Sequence, residues 1–598
     1  MKKLGHILSN HWLMFQYFLK FAPAYIITQI LFCIYVSFVD TLSGPAAIKY
    51  VFNGLSENKS FQELFIFLVF VSLAMMFRHI FGAVTAEYLS AMGRVKVSAG
   101  IQRLIFEQAR KMDLAYYETP KFYTDFVWAS SQSDEKIFQM FNSWCVFVAR
   151  LSDIIFLGGF MLTTDYTLLL FAIAALVIRL IFSSKQVKKR YEMDVEIKPI
   201  ERERDYISRV FYLADYAKEI RLSNMHRTLF ERLKGAMSRI KAINIKGGKK
   251  LALYSLISSI STEGVLDFAM YSYLCYQTIV TKMLKIGSLA SLTESTWRFT
   301  WALKQLVDIS VTFGQQSLYV DNFREFLKYT PDIEYQKGIA APQEIQPITL
   351  KNVTFHYVGE EKPSLKNINM TIHPYEKIAI VGYNGAGKST LVKLLMRFYD
   401  VSEGEILLGQ ENIKNFDTNS YRQNFGAVFQ DYQVFAGTIA ENVVMGFVDK
   451  KDKENIKLSL EQSGFAEKLN TLPKGIDTQL TREFYEDGIN LSGGEAQKVS
   501  IARIFFKNCN YVILDEPSSA LDPISEYNLN KTMLEAAKNK TVIFISHRLS
   551  TTCLADKIYM LENGEIIEQG SHEELMALGG KYAEMFHMQA EKYRAGAL

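Results

Sequence analysis

Residues 21–39, FAPAYIITQILFCIYVSFV, contain no charged side chain. As a helix that run is long enough to cross the roughly 30 Å of hydrocarbon in a bilayer. Charge-poor runs recur near 61–86, 138–163, 166–184, 251–280 and 286–311. Together they predict an α-helical six-span transmembrane domain over residues 1–315. The connections set its topology. Segments 93–137 and 185–250 are long, polar and rich in Lys and Arg, whereas the turns near 41–60, 164–165 and 281–286 carry few basic residues. The positive-inside rule then predicts a multi-pass cell-membrane protein with both long segments and both termini in the cytoplasm.

Composition agrees with a membrane part joined to a water-soluble part: 49% of residues are hydrophobic, yet 22% are charged. The net charge of +4, from 67 basic and 63 acidic residues, points to no nucleic-acid partner. Five cysteines lie far apart with no CxxC pair, the pattern of buried free thiols beside a reducing compartment. The first apolar run lacks a small-residue cleavage site and reads as retained. The two long cytoplasmic connections contain few glycines or prolines and read as helical hairpins. Arms of about thirty residues would extend on the order of 45 Å. Turn-like stretches at 118–126 (ETPKFYTDF) and 213–224 (LADYAKEIRLSN) are the expected contact tips.

A linker over 316–345 and a second domain over 346–598 follow. In the latter, the apolar runs KIAIV, GAVF, YVILD, TVIFIS and KIYML alternate with helical stretches, the signature of a mostly parallel α/β domain. The loop GYNGAGKST (382–390) follows KIAIV and precedes LVKLLMRF, the strand–loop–helix setting of a phosphate-binding loop. Gly382, Asn384, Gly385 and Gly387 allow close backbone approach to phosphates. Lys388 reaches the β and γ oxygens, and Ser389, followed by Thr390, offers its hydroxyl to Mg²⁺. YVILDE brings Asp515 to the magnesium shell, through water, and Glu516 beside it as the water-activating base. Adjacent carboxylates at a strand end can also be merely solvated; the phosphate loop is what separates their roles. His547, after TVIFIS, and Gln430, after GAVF, sit where strand ends converge. His547 is placed to bond the γ-phosphate and attacking water, Gln430 to bind Mg²⁺ or position water. Tyr357, ahead of the loop, is either an adenine-stacking ring or a core aromatic.

With GYNGAGKST, Gln430, LSGGEAQ, YVILDEP, SALD (519–522) and His547 in that order, the second half resembles an ATP-binding-cassette domain. Six spans followed by a cassette look like a half-size ABC exporter, and this resemblance covers nearly the whole chain. It implies an α/β P-loop ATPase that uses ATP and Mg²⁺ and pairs head to tail with a second half-transporter. Ser492, Gly493 and Gly494 would then close on ATP held by the partner chain, Asp522 would link the two sites, and Glu486 would sense the hairpin tips. ATP-driven export by alternating access is the implied activity. A lipid or glycolipid flippase of the same fold, or a membrane-bound regulatory ATPase, is the alternative. The second cytoplasmic loop is similar to that of bacterial peptide and lantibiotic exporters.

The sequence also departs from the family pattern. Glu495 and Ala496 replace the commoner Gln and Arg of the signature, and Tyr432 stands where Pro usually follows Asp431. Glu516 is retained, which favours a homodimer with two active sites. Charges inside the spans suggest a substrate path or interhelical pairs. For Glu294 and Arg298, pairing that fixes the bundle is the plainer reading, with Trp297 alongside. Glu263 and Asp267 have no cation near in sequence and favour a cavity for a peptide, drug or cationic amphiphile.

Overall fold

The computed structural model describes residues 2–131, 133–333, 337–515, 539–545 and 552–595. The chain divides into two compact units: Met1–Arg110 with Thr124–Lys328, and Lys111–Tyr123 with Tyr329–Leu598.

The first unit is helical. An N-terminal helix, Lys2–Phe21, ends before Pro23, which opens the first spanning helix at its first turn, where a missing N–H costs nothing. The N-terminal helix packs along the last one: His11 Nε2 lies 3.0 Å from the Phe313 carbonyl, and Asn10 donates to Ser317 Oγ at 2.8 Å. Among the described residues, four helical stretches are long and apolar enough to cross a membrane: Pro23–Ser56, Phe61–Lys111, Lys136–Thr164 and Thr167–Tyr212. The fifth (Met225–Ser259 continuing to Ile279) and sixth (Ile286–Lys328) are more polar, because they carry Glu263, Asp267, Glu294, Arg298 and Lys304. Residues 316–328, the first part of the expected linker, continue the sixth helix, with Ser317, Val320, Phe323 and Phe326 burying one side of it.

Thr167–Tyr212 spans roughly 70 Å at 1.5 Å per residue and pairs with Met225–Ser259. Gly247 makes that approach possible: a Cβ there would sit 2.1 Å from Met193 Sδ. At the tip, Ile207, Val210 and Leu229 form a small buried cluster beside the turn helix Ala214–Leu222. π-helical turns interrupt the spans at Leu42–Ala46, Val84–Leu89 and Ile260–Leu266, the last holding Glu263.

The second unit contains two sheets. Strands β1 (Ile348–Phe355), β2 (Leu365–Ile372), β4 (Glu403–Leu408) and β5 (Glu411–Asn412) form an antiparallel sheet ordered β2-β1-β4-β5. Strands β3 (Lys377–Gly382), β6 (Phe425–Val428), β7 (Tyr511–Asp515), β8 (Thr541–Ile545), β9 (Lys557–Glu562) and β10 (Glu565–Gly570) form the second, ordered β10-β9-β3-β8-β7-β6. All neighbours there are parallel except β10 against β9. β7 and β8 are buried at every position, as expected of strands covered on both faces.

Candidate functional site

Parallel pairing brings four strand ends to one edge. Ile380 of β3 lies opposite Ile545 of β8, Asp515 of β7 opposite Ile545, and Leu514 opposite Val428 of β6. The loop after β3, the carboxylate of Asp515 and the segment carrying Gln430 therefore leave the sheet side by side, at the carboxyl ends where open parallel sheets bind ligands. Asp515 is 8% exposed; Gln430 and Ser389 are exposed. Glu516, Asp522 and His547 lie outside the described residues, although Glu516 directly follows β7 in the chain.

The glycine loop is shaped by close approaches. At Gly382 (φ 151°) a Cβ would fall 2.2 Å from the Leu561 carbonyl oxygen, and at Gly387 (φ 101°) 2.8 Å from that of Ser364. Gly387 in the left-handed region caps the helix Lys388–Leu395. The Lys388 ammonium, 7% exposed, donates to the carbonyls of Gly382 at 2.8 Å and Tyr383 at 3.0 Å. It is thus folded into the loop, with Asn384, Gly385 and Ser389 on the exposed rim. This donor set suits a nucleotide phosphate with Mg²⁺. That ion keeps several waters and takes one or two protein ligands, so the Ser389 hydroxyl could serve directly and the Asp515 carboxylate through water, with Gln430 as a further oxygen. When bound, Mg²⁺ supplies charge neutralisation across the β and γ phosphates.

Tyr357 donates to or accepts from Thr390 Oγ1 at 3.1 Å and packs edge-on against Phe355 and Tyr399. The same ring lies 5.5 Å beneath the Lys393 ammonium, which bonds Glu118 at 3.2 Å. Burial disfavours the Lys393 charge, but Tyr357 and Glu118 outweigh it and raise the pKa. Glu118 belongs to the first tip. Its segment, Lys111–Tyr123, clusters with the nucleotide-binding unit. Ala115 packs on that unit's core, and the Tyr116 hydroxyl donates to the Thr330 carbonyl at 2.9 Å. Phe122, 1% exposed, meets Tyr329 edge-on. Asp113 is 4% exposed and accepts from the N–H groups of Asp332 (2.6 Å) and Ile333 (3.1 Å). The second tip, Ala214–Leu222, packs against the helices Thr167–Tyr212 and Met225–Ser259 of the first unit, with Leu222 86% exposed.

Ser492 caps the helix Gly493–Phe506. Its hydroxyl accepts from the Glu495 N–H at 3.3 Å, and its own N–H donates to Glu495 Oε2 at 2.8 Å. The unusual Glu495 thus completes a capping box, a Ser-x-x-Glu spacing visible in the sequence. Lys468 adds an ion pair at 3.0 Å. Burial would raise the Glu495 pKa; the Ser492 N–H and Lys468 outweigh it and hold it below the usual range. Ala496 is buried, where an arginine would have to lie along the surface. Tyr432 donates its hydroxyl to the Gly493 carbonyl at 2.6 Å, tying the Gln430 segment to the signature helix. Ser492 and Gly493 remain exposed, as does Glu486.

In the membrane unit, Glu294 pairs with Arg298 at 3.0 Å, and Arg298 also donates to the Asp40 carbonyl. Arg78 pairs with Asp40, Arg150 with Asp153 at 2.7 Å. Glu263 meets Lys304 of the sixth helix at 3.3 Å, a partner invisible to local sequence reading. Trp297 is 60% exposed, whereas Trp301 lies under Arg150.

A helical unit with several long apolar helices, joined in one chain to a phosphate-loop domain with its own signature helix, defines a transport ATPase of the exporter type. The family model described as ABC transporter matches residues 365–519. Over 509 residues the chain is 30% identical to the subtilin transport ATP-binding protein of Bacillus subtilis, covering 84% of this chain and 81% of that one. It is 36% identical over 348 residues to the ATP-dependent lipid A-core flippase of Pasteurella multocida, a match spanning 57% of this chain and 58% of the flippase. A bacterial Atm1-family ABC exporter solved with ATP bound shares the fold, with TM-score 0.78 at 24% identity over 94% of this chain and 98% of that one. The chain belongs to the ABC transporter family. It is built as one of that family's half-size exporters: a multi-pass membrane domain and an ATP-hydrolysing cassette on one polypeptide, the cassette driving transport.

Proposed function

We propose that the protein exports a peptide or other cationic amphiphile out of the cytoplasm, working as a head-to-tail homodimer with two complete ATP sites. The observation that carries the substrate reading is the placement of Glu263 and Asp267. They sit at and just after a π-helical turn in the fifth span, and Glu263 is exposed. A carboxylate at membrane depth faces a cation or a water-filled path rather than lipid tails; Lys304 meets Glu263 at 3.3 Å, and with Asp267 one helical turn on there is more carboxylate here than that single ammonium neutralises. Similarity to the subtilin transport protein over most of both chains supports a peptide cargo. Similarity to a lipid A-core flippase supports lipid as the second reading.

For the ATP site, Lys388, Asn384 and the glycines hold the phosphates, and Ser389, Gln430 and Asp515 hold Mg²⁺. Glu516 activates water, His547 bonds the γ-phosphate, and Tyr357 supports the adenine. Ser492, Gly493 and Gly494 complete the partner's site, and Asp522 joins the two. Homodimerisation is favoured because Lys388, Glu516 and the SGG triplet all occur on one chain. The lysine- and arginine-rich loops support a cytoplasmic side for the termini and cassette.

Inverted vesicles containing the protein are expected to accumulate a labelled cationic peptide with ATP, and to stop doing so with Glu516→Gln. Accumulation or flipping of lipid alone would select the second reading; ATP turnover without movement of any cargo would select a regulatory role. Glu263→Gln combined with Asp267→Asn is expected to abolish peptide stimulation of ATPase activity while basal turnover persists. Undiminished stimulation would remove those carboxylates from the path.

A further inference from the structure

The chain's departures from its family pattern converge on one end of one helix. Glu495 occupies the third position of the signature helix, Tyr432 reaches that helix's first carbonyl, and Lys468, on the short helix Ala466–Thr471, pairs with Glu495. A helix N-terminus carries roughly half a positive charge, and a carboxylate in the first turn stabilises the helix by opposing that charge. The same carboxylate weakens the attraction of that end for a phosphate. Glu495 would therefore stand within one turn of the serine that meets a highly charged ligand.

We propose that Lys468 is a positioning residue of the composite ATP site: it neutralises Glu495, so that the helix presenting Ser492 keeps a net-positive end towards the γ-phosphate on the partner chain. This rests on the head-to-tail reading above. The hydrogen bonding fits. Ser492 Oγ accepts from the Glu495 N–H and its O–H also interacts with the Glu495 carboxylate, so pairing of that carboxylate with Lys468 loosens its hold on the hydroxyl proton, which can then turn to a phosphate oxygen. Glu495 thus fixes the serine rotamer, and Lys468 at 3.0 Å offsets the charge that this fixing introduces. Both side chains are part-exposed, at 38% and 27%, which limits the effect to a few-fold in affinity.

The test is steady-state ATP hydrolysis by the full-length protein in lipid nanodiscs. Lys468→Met is expected to raise KM for ATP about two- to fivefold, with little change in kcat. Lys468→Arg keeps the wild-type KM, and raising the salt narrows the gap between wild type and Lys468→Met. Adding Glu495→Gln to Lys468→Met returns KM to that of Glu495→Gln alone. An unchanged KM in Lys468→Met overturns the proposal, as does a double variant no better than Lys468→Met. A fall in kcat and thermal stability without the KM change would make Lys468 merely structural, and also overturns it. Ser492→Ala separates the premise: if its turnover matches wild type, the composite site fails and the proposal with it. If Ser492→Ala is impaired while Lys468 and Glu495 show no coupling, only the charge-balancing role is lost.

Discussion

Lys388→Met will lower ATP hydrolysis by on the order of a hundredfold or more, the scale seen when one preorganised donor to a developing charge is removed. Methionine keeps an unbranched stem of similar length, so the substitution deletes the ammonium and little else. That ammonium is 7% exposed and held at 2.8 and 3.0 Å by two carbonyls of the loop it closes. Two acceptors hold it within the glycine loop on which the proposed ATP site is built. An exposed lysine would search many rotamers before meeting a phosphate; this one is already in place, and its loss removes both charge and preorganisation. Phosphate release at saturating ATP measures the effect. Turnover within threefold of wild type would remove Lys388 from the reacting centre.

Asp113→Ala will loosen the first hairpin tip by about 2–3 kcal/mol, because two backbone N–H groups lose a charged acceptor. Hydrogen–deuterium exchange at 111–123 and 329–333 reads this directly, and substrate stimulation of ATPase activity is expected to fall in parallel. Asp113→Asn retains an acceptor and is expected to behave much closer to wild type. The pH dependence has a definite sign. Burial raises the Asp113 pKa, and the Ile333 and Asp332 N–H groups offset this only in part. A carboxyl with a raised folded-state pKa holds its proton longer when docked than when free. Docking is therefore strongest below the ordinary aspartate pKa and weakens as pH rises through the raised one. Asp113→Asn should abolish that slope. Equal protection in Asp113→Ala and wild type would show that the aspartate does not pin the tip.

What the sequence made readable was contiguous. The phosphate loop, the strand ends and the signature each lie within about ten residues, so residue type and spacing already carry the local geometry. The Ser492–Glu495 capping box was of this kind, because its two members are one helical turn apart. Lys468, Lys304 and the Asp332–Ile333 amides were hidden for the opposite reason. Each meets its partner only after the chain has folded back, and no local period announces it. The N-terminal helix is intermediate: Asn10, His11, Met14 and Phe18 fall at helical spacing, but they gain meaning only once the sixth helix lies beside them. The sixth helix's extension to Lys328 depends on the same packing.

The chain passes between its two compact units three times, after Arg110, after Tyr123 and after Lys328. The segment Lys111–Tyr123 thus belongs by its contacts to a unit whose remaining residues begin only at Tyr329. A cassette cut from the chain at Tyr329 would leave part of itself behind: Asp113, Tyr116, Glu118 and Phe122 would be missing, with the amide bonds, the Lys393 pair and the Tyr329 contact that they supply.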